Sequence, residues 1–238
     1  MIPKTVSIVT LTPGGPTYYA ASMEPWPFMV EAGYVPHTEV EIPIGQSRYG
    51  GPVMDLPPGL APPEGLRFAA QIDLAAVGPY DATGQLPRSG HLVAFADIRT
   101  DQGVVVYEEV DRDDLVRHVV PHDDNFYVGR LVAGAHADTE HWSERFDDDL
   151  VDLDDGSVGT VTEWDSFGGS DRSKMLGWPV HCQWQQEEIE AEIEAGKVVL
   201  VQFGEAGFND EGVFSVLIAW DDLAARRFDC CDVYWSQS

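Results

Sequence analysis

SRYGGPV, residues 47–53, returns further along the chain as SKMLGWPV, residues 173–180. Each copy has a serine, then a base, then glycine and proline before a valine. Glycine reaches backbone angles that other residues resist, and proline stiffens the exit. Such a phrase reads as a structural joint, and its return predicts two similar halves. The first copy is followed by FAAQIDL (68–74) and SGHLVAFADI (89–98), the second by VVLVQFGE (198–205) and EGVFSVLIAW (211–220). Both halves then show an apolar strand with a glutamine at its heart, Gln71 or Gln202. A second apolar strand follows, opened by Gly90 or Gly212.

Outward from the joints, alternation in 67–74 places Phe68, Ala70, Ile72 and Leu74 on one face, with Gln71 and Asp73 on the other. With SGHLVAFADI and GVVVYEEV (103–110) it predicts an antiparallel meander. KTVSIVTLT (4–12) reads as a strand, and PGGPTYYAASMEPWPFM (13–29) as an irregular wrap. EVEIPI (39–44) reads as an edge strand, because proline is tolerated there. The five prolines of PVMDLPPGLAPPEG (52–65) predict extended loop. NFYVGRLVAG (125–134) reads as a strand, while Asp138 or Thr139 is a candidate helix cap. CQWQQEEIEAEIEAG (182–196) is the clearest helix, with Trp184, Ile189 and Ile193 in a stripe and Gly196 at its end. KVVLVQFGE (197–205) reads as a central strand. DDLAARR (221–227) reads as one helical turn, and FDCCDVYW (228–235) as a closing strand.

The expected fold is therefore α+β, with mostly antiparallel sheets and few helices. It is an internal duplication of a β-rich unit in a pseudo-twofold arrangement. All of 1–238 forms one domain of two halves, about 47–110 and 170–238, joined by an acidic middle segment.

The order of joints, AQIDL, SGHLVAF and GVFSVLIAWDDLAARRF resembles the YwqG-like family of bacterial proteins, a family of unknown function. The resemblance covers about 47–98 and 170–235. The second joint departs from the family pattern by carrying Leu176 before Gly177. The resemblance implies an α+β fold with a duplication and a bacterial, cytosolic setting. It implies no catalytic residues.

The chain has 238 residues, 44% of them hydrophobic, which suffices for a sizeable core. Three cysteines, Cys182, Cys230 and Cys231, give no disulfide framework and fit a reducing cytoplasm. The N-terminus lacks a secretory pattern, and no run is long enough for a membrane helix. Net charge is −27, of which −15 falls within residues 101–172. That field repels nucleic acid and anionic membranes and attracts basic proteins or cations, although acidity also serves solubility alone.

Chemistry-bearing patterns are weak. His181 beside Cys182 lacks a paired C-x-x-C and forms neither a zinc set nor a catalytic dyad. HVVPHDD (118–124) is broken by Pro121, and HADTEH (136–141) lacks the H-E-x-x-H spacing. Counting from Asp152 puts Asp154 and Glu163 at calcium-loop positions, but glycine falls one place early. No phosphate-loop or dinucleotide fingerprint occurs, so no catalytic residue, metal or cofactor is assigned. Gln71 and Gln202 read as buried amides serving their joints, or as the lining of a cleft between the halves. Arg48 and Lys174 read as partners of nearby acids, or as anion holders.

The reading that follows is a non-enzymatic, acidic protein-binding module of the cytoplasm. Asp147, Asp148, Asp149, Asp152, Asp154 and Asp155 would attract a basic protein, as a toxin-neutralising immunity protein would. Exposed tryptophans would serve as anchors. The alternative is an enzyme or small-ligand binder with Arg48, Gln71, Lys174 and Gln202 at an inter-half cleft.

Overall fold

The computed structural model describes residues 2–100, 102–121, 126–142, 150–152, 158–160, 172–204 and 212–237. Its strands in chain order begin with β1 (Thr5–Tyr19), β2 (Val35–Pro36), β3 (Arg48–Gly50), β4 (Val53–Leu56) and β5 (Arg67–Asp73). Next come β6 (His91–Asp97), β7 (Gln102–Glu108), β8 (Val116–Val119), β9 (Val128–His141), β10 (Leu150–Asp152) and β11 (Val158–Thr160). The last are β12 (Lys174–Met175), β13 (Lys197–Phe203), β14 (Gly212–Ala219) and β15 (Asp232–Gln237). Among the described residues four short α-helices join them: α1 (Pro27–Glu31), α2 (Leu74–Val77), α3 (Gln186–Glu194) and α4 (Trp220–Ala224).

One sheet runs β15-β14-β13-β12-β1-β9-β3-β5-β6-β7, with β2 beside β1. Every pairing but β1–β2 is antiparallel. The sheet curls until β15 meets β7, giving a nearly closed barrel around one apolar core. Closure is by packing: a Cβ on Gly103 in β7 would lie 2.6 Å from Val233 of β15. Nearby, Tyr107 packs on Phe228 with ring centroids 4.9 Å apart. A separate two-stranded sheet, β4 with β8, covers the outer face of β5 and β6, burying Met54, Leu56, Phe68, Val93 and Phe95.

The sheet centre is β1 and β9, and each flank repeats a set of features outward from it. Arg48 pairs in register with Gln71, and Lys174 with Gln202. The Ser47 hydroxyl accepts from Asp73 N–H, and the Ser173 hydroxyl from Gly204 N–H. The Ser47 carbonyl accepts from Val132 N–H of β9, and the Ser173 carbonyl from Leu11 N–H of β1. The β5–β6 register shifts between Phe68 and Ala70, and the β13–β14 register between Val199 and Val201. Both shifts fall just before the glutamine.

The meander β5-β6-β7, the turn α4 and the central place of β13 agree with the sequence reading; α3 and β15 do so in shorter form, with Trp184 ahead of the helix and Phe228–Cys230 a 3-10 turn ahead of the strand. Several local expectations do not. Residues 13–19 are strand, because register shifts at Thr12/Pro13 and Gly14/Tyr18 absorb the prolines as bulges. Residues 39–44 form no edge strand; just after them Gly45 N–H donates to the buried Asp55 carboxylate at 2.8 Å. Residues 53–56 are not loop but β4, paired with β8. Asp138 and Thr139 cap no helix and lie in β9, opposite Ile8 and Ser7. Phe68 leaves the face of Ala70 and Ile72 because the register shift turns it outward. The middle segment is more than a connection, since it supplies β9, and residues 1–46 supply β1.

Candidate functional site

At the first joint, Gly50 and Gly51 have φ of +59° and +75°. A Cβ on Gly50 would sit 2.1 Å from the Val128 carbonyl oxygen, so the turn requires glycine. The turn directs Arg48 into the protein, at 0% exposure. Its guanidinium donates to the carbonyls of Val53 (3.0 Å) and Gln46 (2.9 Å) and to Gln71 Oε1 (3.0 Å). It also pairs with Asp55 at 2.7 Å. Asp55 accepts a second, two-pronged pair from Arg117, at 2.9 and 3.1 Å. Burial alone would raise the Asp55 pKa. Arg117, Arg48 and the Gly45 N–H outweigh burial and hold it below the ordinary carboxylate value. Beside this network Asp73 caps α2 and pairs with Arg112. His91 is 3% exposed there, and its Nδ1 has no partner among the described residues. Burial lowers its pKa, with Asp73 opposing.

The second joint performs the same turn with different counter-charges. Leu176 takes φ of +66° and Gly177 +84°. Leu176 tolerates the left-handed angle because its side chain is buried in the core. Lys174, at 0% exposure, pairs with Glu140 of β9 and donates to the Trp178 carbonyl at 2.9 Å. The other Glu140 oxygen accepts from Trp178 N–H at 3.1 Å. Gln202 donates to the Arg172 carbonyl at 2.9 Å. The two joints are thus buried, charge-paired locks (Arg48–Asp55–Arg117 and Lys174–Glu140).

The space next to the second lock is open. A half-open groove of about 620 Å³ lies between the start of β1, Trp178, the end of α3 and the start of β13. Ile2, Val6, Trp178, Ile193, Val198 and Trp220 give it an apolar lining, and Ser7, Thr83, Glu194 and Lys197 are its polar members. Lys197 bonds to both Glu192 (2.8 Å) and Asp232 (2.7 Å), and these bonds raise its pKa despite burial. Trp220 is 39% exposed at the rim.

Residues 14–236 match the family model described as a domain of unknown function, DUF1963. The chain belongs to the DUF1963 family. No curated protein matches it. The DUF1963 match opens inside β1 and ends inside β15, so it takes in both locks and nearly the whole sheet. The groove wall formed by Ile2, Pro3, Val6 and Ser7 precedes the matched residues.

In this DUF1963 chain Arg48, Gln71, Lys174 and Gln202 are all at 0% exposure, and none lines the groove. Asp152 lies in β10, opposite Val158 of β11. Asp147, Asp148, Asp149, Asp154, Asp155 and Glu163 lie outside the described residues, as do His122, Asp123 and Asp124. His136, Asp138 and His141 lie on β9. No cluster of possible metal ligands occurs among the described residues. Cys182, Cys230 and Cys231 are free thiols, and burial pushes Cys231 up to about 12. No helix among the described residues is long and apolar enough to cross a membrane.

Sequence reasoning missed Asp55, Glu140 and the groove. An acid inside the apolar run VMDL was a usable sign for Asp55. Glu140 carried none, because its partner lies 34 positions away on another strand.

Proposed function

We propose that this chain is a protein-binding module that engages a basic protein partner, with the groove beside the second joint as its anchor. The observation that carries the reading is the groove's composition within a chain of net charge −27. An apolar floor with tryptophan at its rim supplies contact area. The acids around it favour a positively charged partner and speed its approach. An immunity-type role, in which the acidic surface covers a basic toxin, is one form of this activity. The acidic stretch holding Asp147, Asp148, Asp149, Asp152, Asp154 and Asp155 would extend the same field. We read the two flanks as copies of one ancestral unit, which accords with the YwqG-like resemblance and a cytoplasmic setting.

The test is capture of partners with tagged protein, followed by reconstitution of each identified pair from purified components in a calorimeter. A one-to-one complex with a basic protein is expected, weakened at least tenfold between low and high salt. Changing the six aspartates to Asn should weaken it further. Absence of any stoichiometric complex, or affinity indifferent to salt, would refute the reading.

A further inference from the structure

The groove runs along the start of β1, past the end of the short strand β12. β12 separates β1 from β13, so those two strands stand about 10 Å apart where β12 lies between them. Yet the β1–β12 ladder covers Val9 and Thr10 alone, extended by Leu11 N–H to Ser173. Beyond Met175 the joint leans onto β13, through Leu176 N–H to Val199 O (2.8 Å) and Val199 N–H to Gly177 O (3.2 Å). The stretch of β1 before Val9 keeps its β9 neighbour but has no strand on its other edge among the described residues.

The direction of the backbone groups follows from two bonds. Leu11 N–H points to the β12 side, and Lys4 C=O accepts from Trp142 N–H on the β9 side. Successive peptide groups alternate along a strand. The N–H and C=O of Thr5 and Ser7 therefore face the groove, while those of Val6 and Ile8 face β9. No backbone partner for Thr5 or Ser7 on the groove side occurs among the described residues. Glu194, Glu192 and Asp232 stand against the single Lys197 here, so the local balance is negative.

We infer that the groove takes an extended, basic peptide segment as an added strand against β1, with alternate apolar side chains on the Trp178–Val6 floor and basic ones toward Glu194. Main-chain bonds to Thr5 and Ser7 would supply affinity, and the alternating side chains selectivity. The inference rests on the protein-binding reading and specifies how the partner's chain is held.

The probe is the synthetic hexapeptide Ac-(Lys-Val)3-NH2, with Ac-(Glu-Val)3-NH2 and a backbone N-methylated Lys-Val version as controls. Amide hydrogen exchange by NMR is the readout, in the full chain. In free protein Thr5 and Ser7 should exchange far faster than Val6 and Ile8. The Lys-Val peptide should slow Thr5 and Ser7 at least tenfold and saturably, and neither control should do so. Ser7→Pro removes a donor that β9 does not use, so the fold should persist while peptide protection is lost. Thr5 and Ser7 already protected in free protein, no binding at millimolar peptide, or binding without their protection would each overturn the inference. The same variant separates the two readings. A salt-sensitive complex with a whole basic protein that survives Ser7→Pro unchanged would sink the added strand and leave the binding function standing. Peptide protection without any whole-protein complex would do the reverse.

Discussion

Arg48 and Lys174 occupy the same place in their flanks, yet their surroundings differ. Arg48 shares Asp55 with Arg117, so one carboxylate holds two guanidiniums. Asp55→Asn would leave Arg48 charged and fully enclosed. A loss of about 3–5 kcal/mol in urea unfolding is expected, as for one member removed from a buried pair. His91 makes a separate prediction. Its folded pKa lies below the ordinary value, so the unfolded chain binds its proton more readily. Its contribution is present above the unfolded pKa, near 6.5, and is lost as pH falls through the folded pKa. The stability gap between wild type and His91→Asn should therefore shift toward the variant between pH 7 and pH 5. A gap that stays constant across that window would show that His91 is not held neutral by burial.

Among the elements, the joints and the strands after them were legible in the sequence. Glycine, proline and alternation act locally, and the meander and α3 followed from them. The local pattern ends β1 at Thr12, because a bulge that rescues proline depends on a partner strand more than a hundred residues away. The same distance hides the second half of β9: NFYVGRLVAG reads as a strand, but the continuation to His141 looks like a helix start until β1 lies beside it. The buried locks were half legible: the paired bases and glutamines stood out, but the acids that neutralise them did not. Leu176 tests the second joint. Leu176→Gly relaxes the backbone angle but removes a buried side chain, and the loss of burial should prevail. A net destabilisation of about 1–3 kcal/mol is expected in thermal or urea unfolding.

For the whole molecule, the seam between β7 and β15 is the weak closure, since among the described residues it is packed without a backbone ladder. Gly103→Val would force the two strands apart at Val233. A cost of about 1–3 kcal/mol is expected, with faster amide exchange in β7 and β15 than in β1 and β9. Uniform exchange across all four strands would mean that the barrel opens elsewhere.

The central pair also dictates the order in which the chain can be assembled. β1 leaves the ribosome first among the strands, but its neighbours β9 and β12 lie about 120 and 160 residues later. At roughly 5–20 residues per second, that stretch takes several seconds or more to emerge. During that interval the apolar Val6–Leu11 stretch of β1, which β2 does not reach, waits in solution with two open edges. Its passage through that wait is the step at which a chaperone would matter most, and at which truncated synthesis would leave an aggregation-prone fragment.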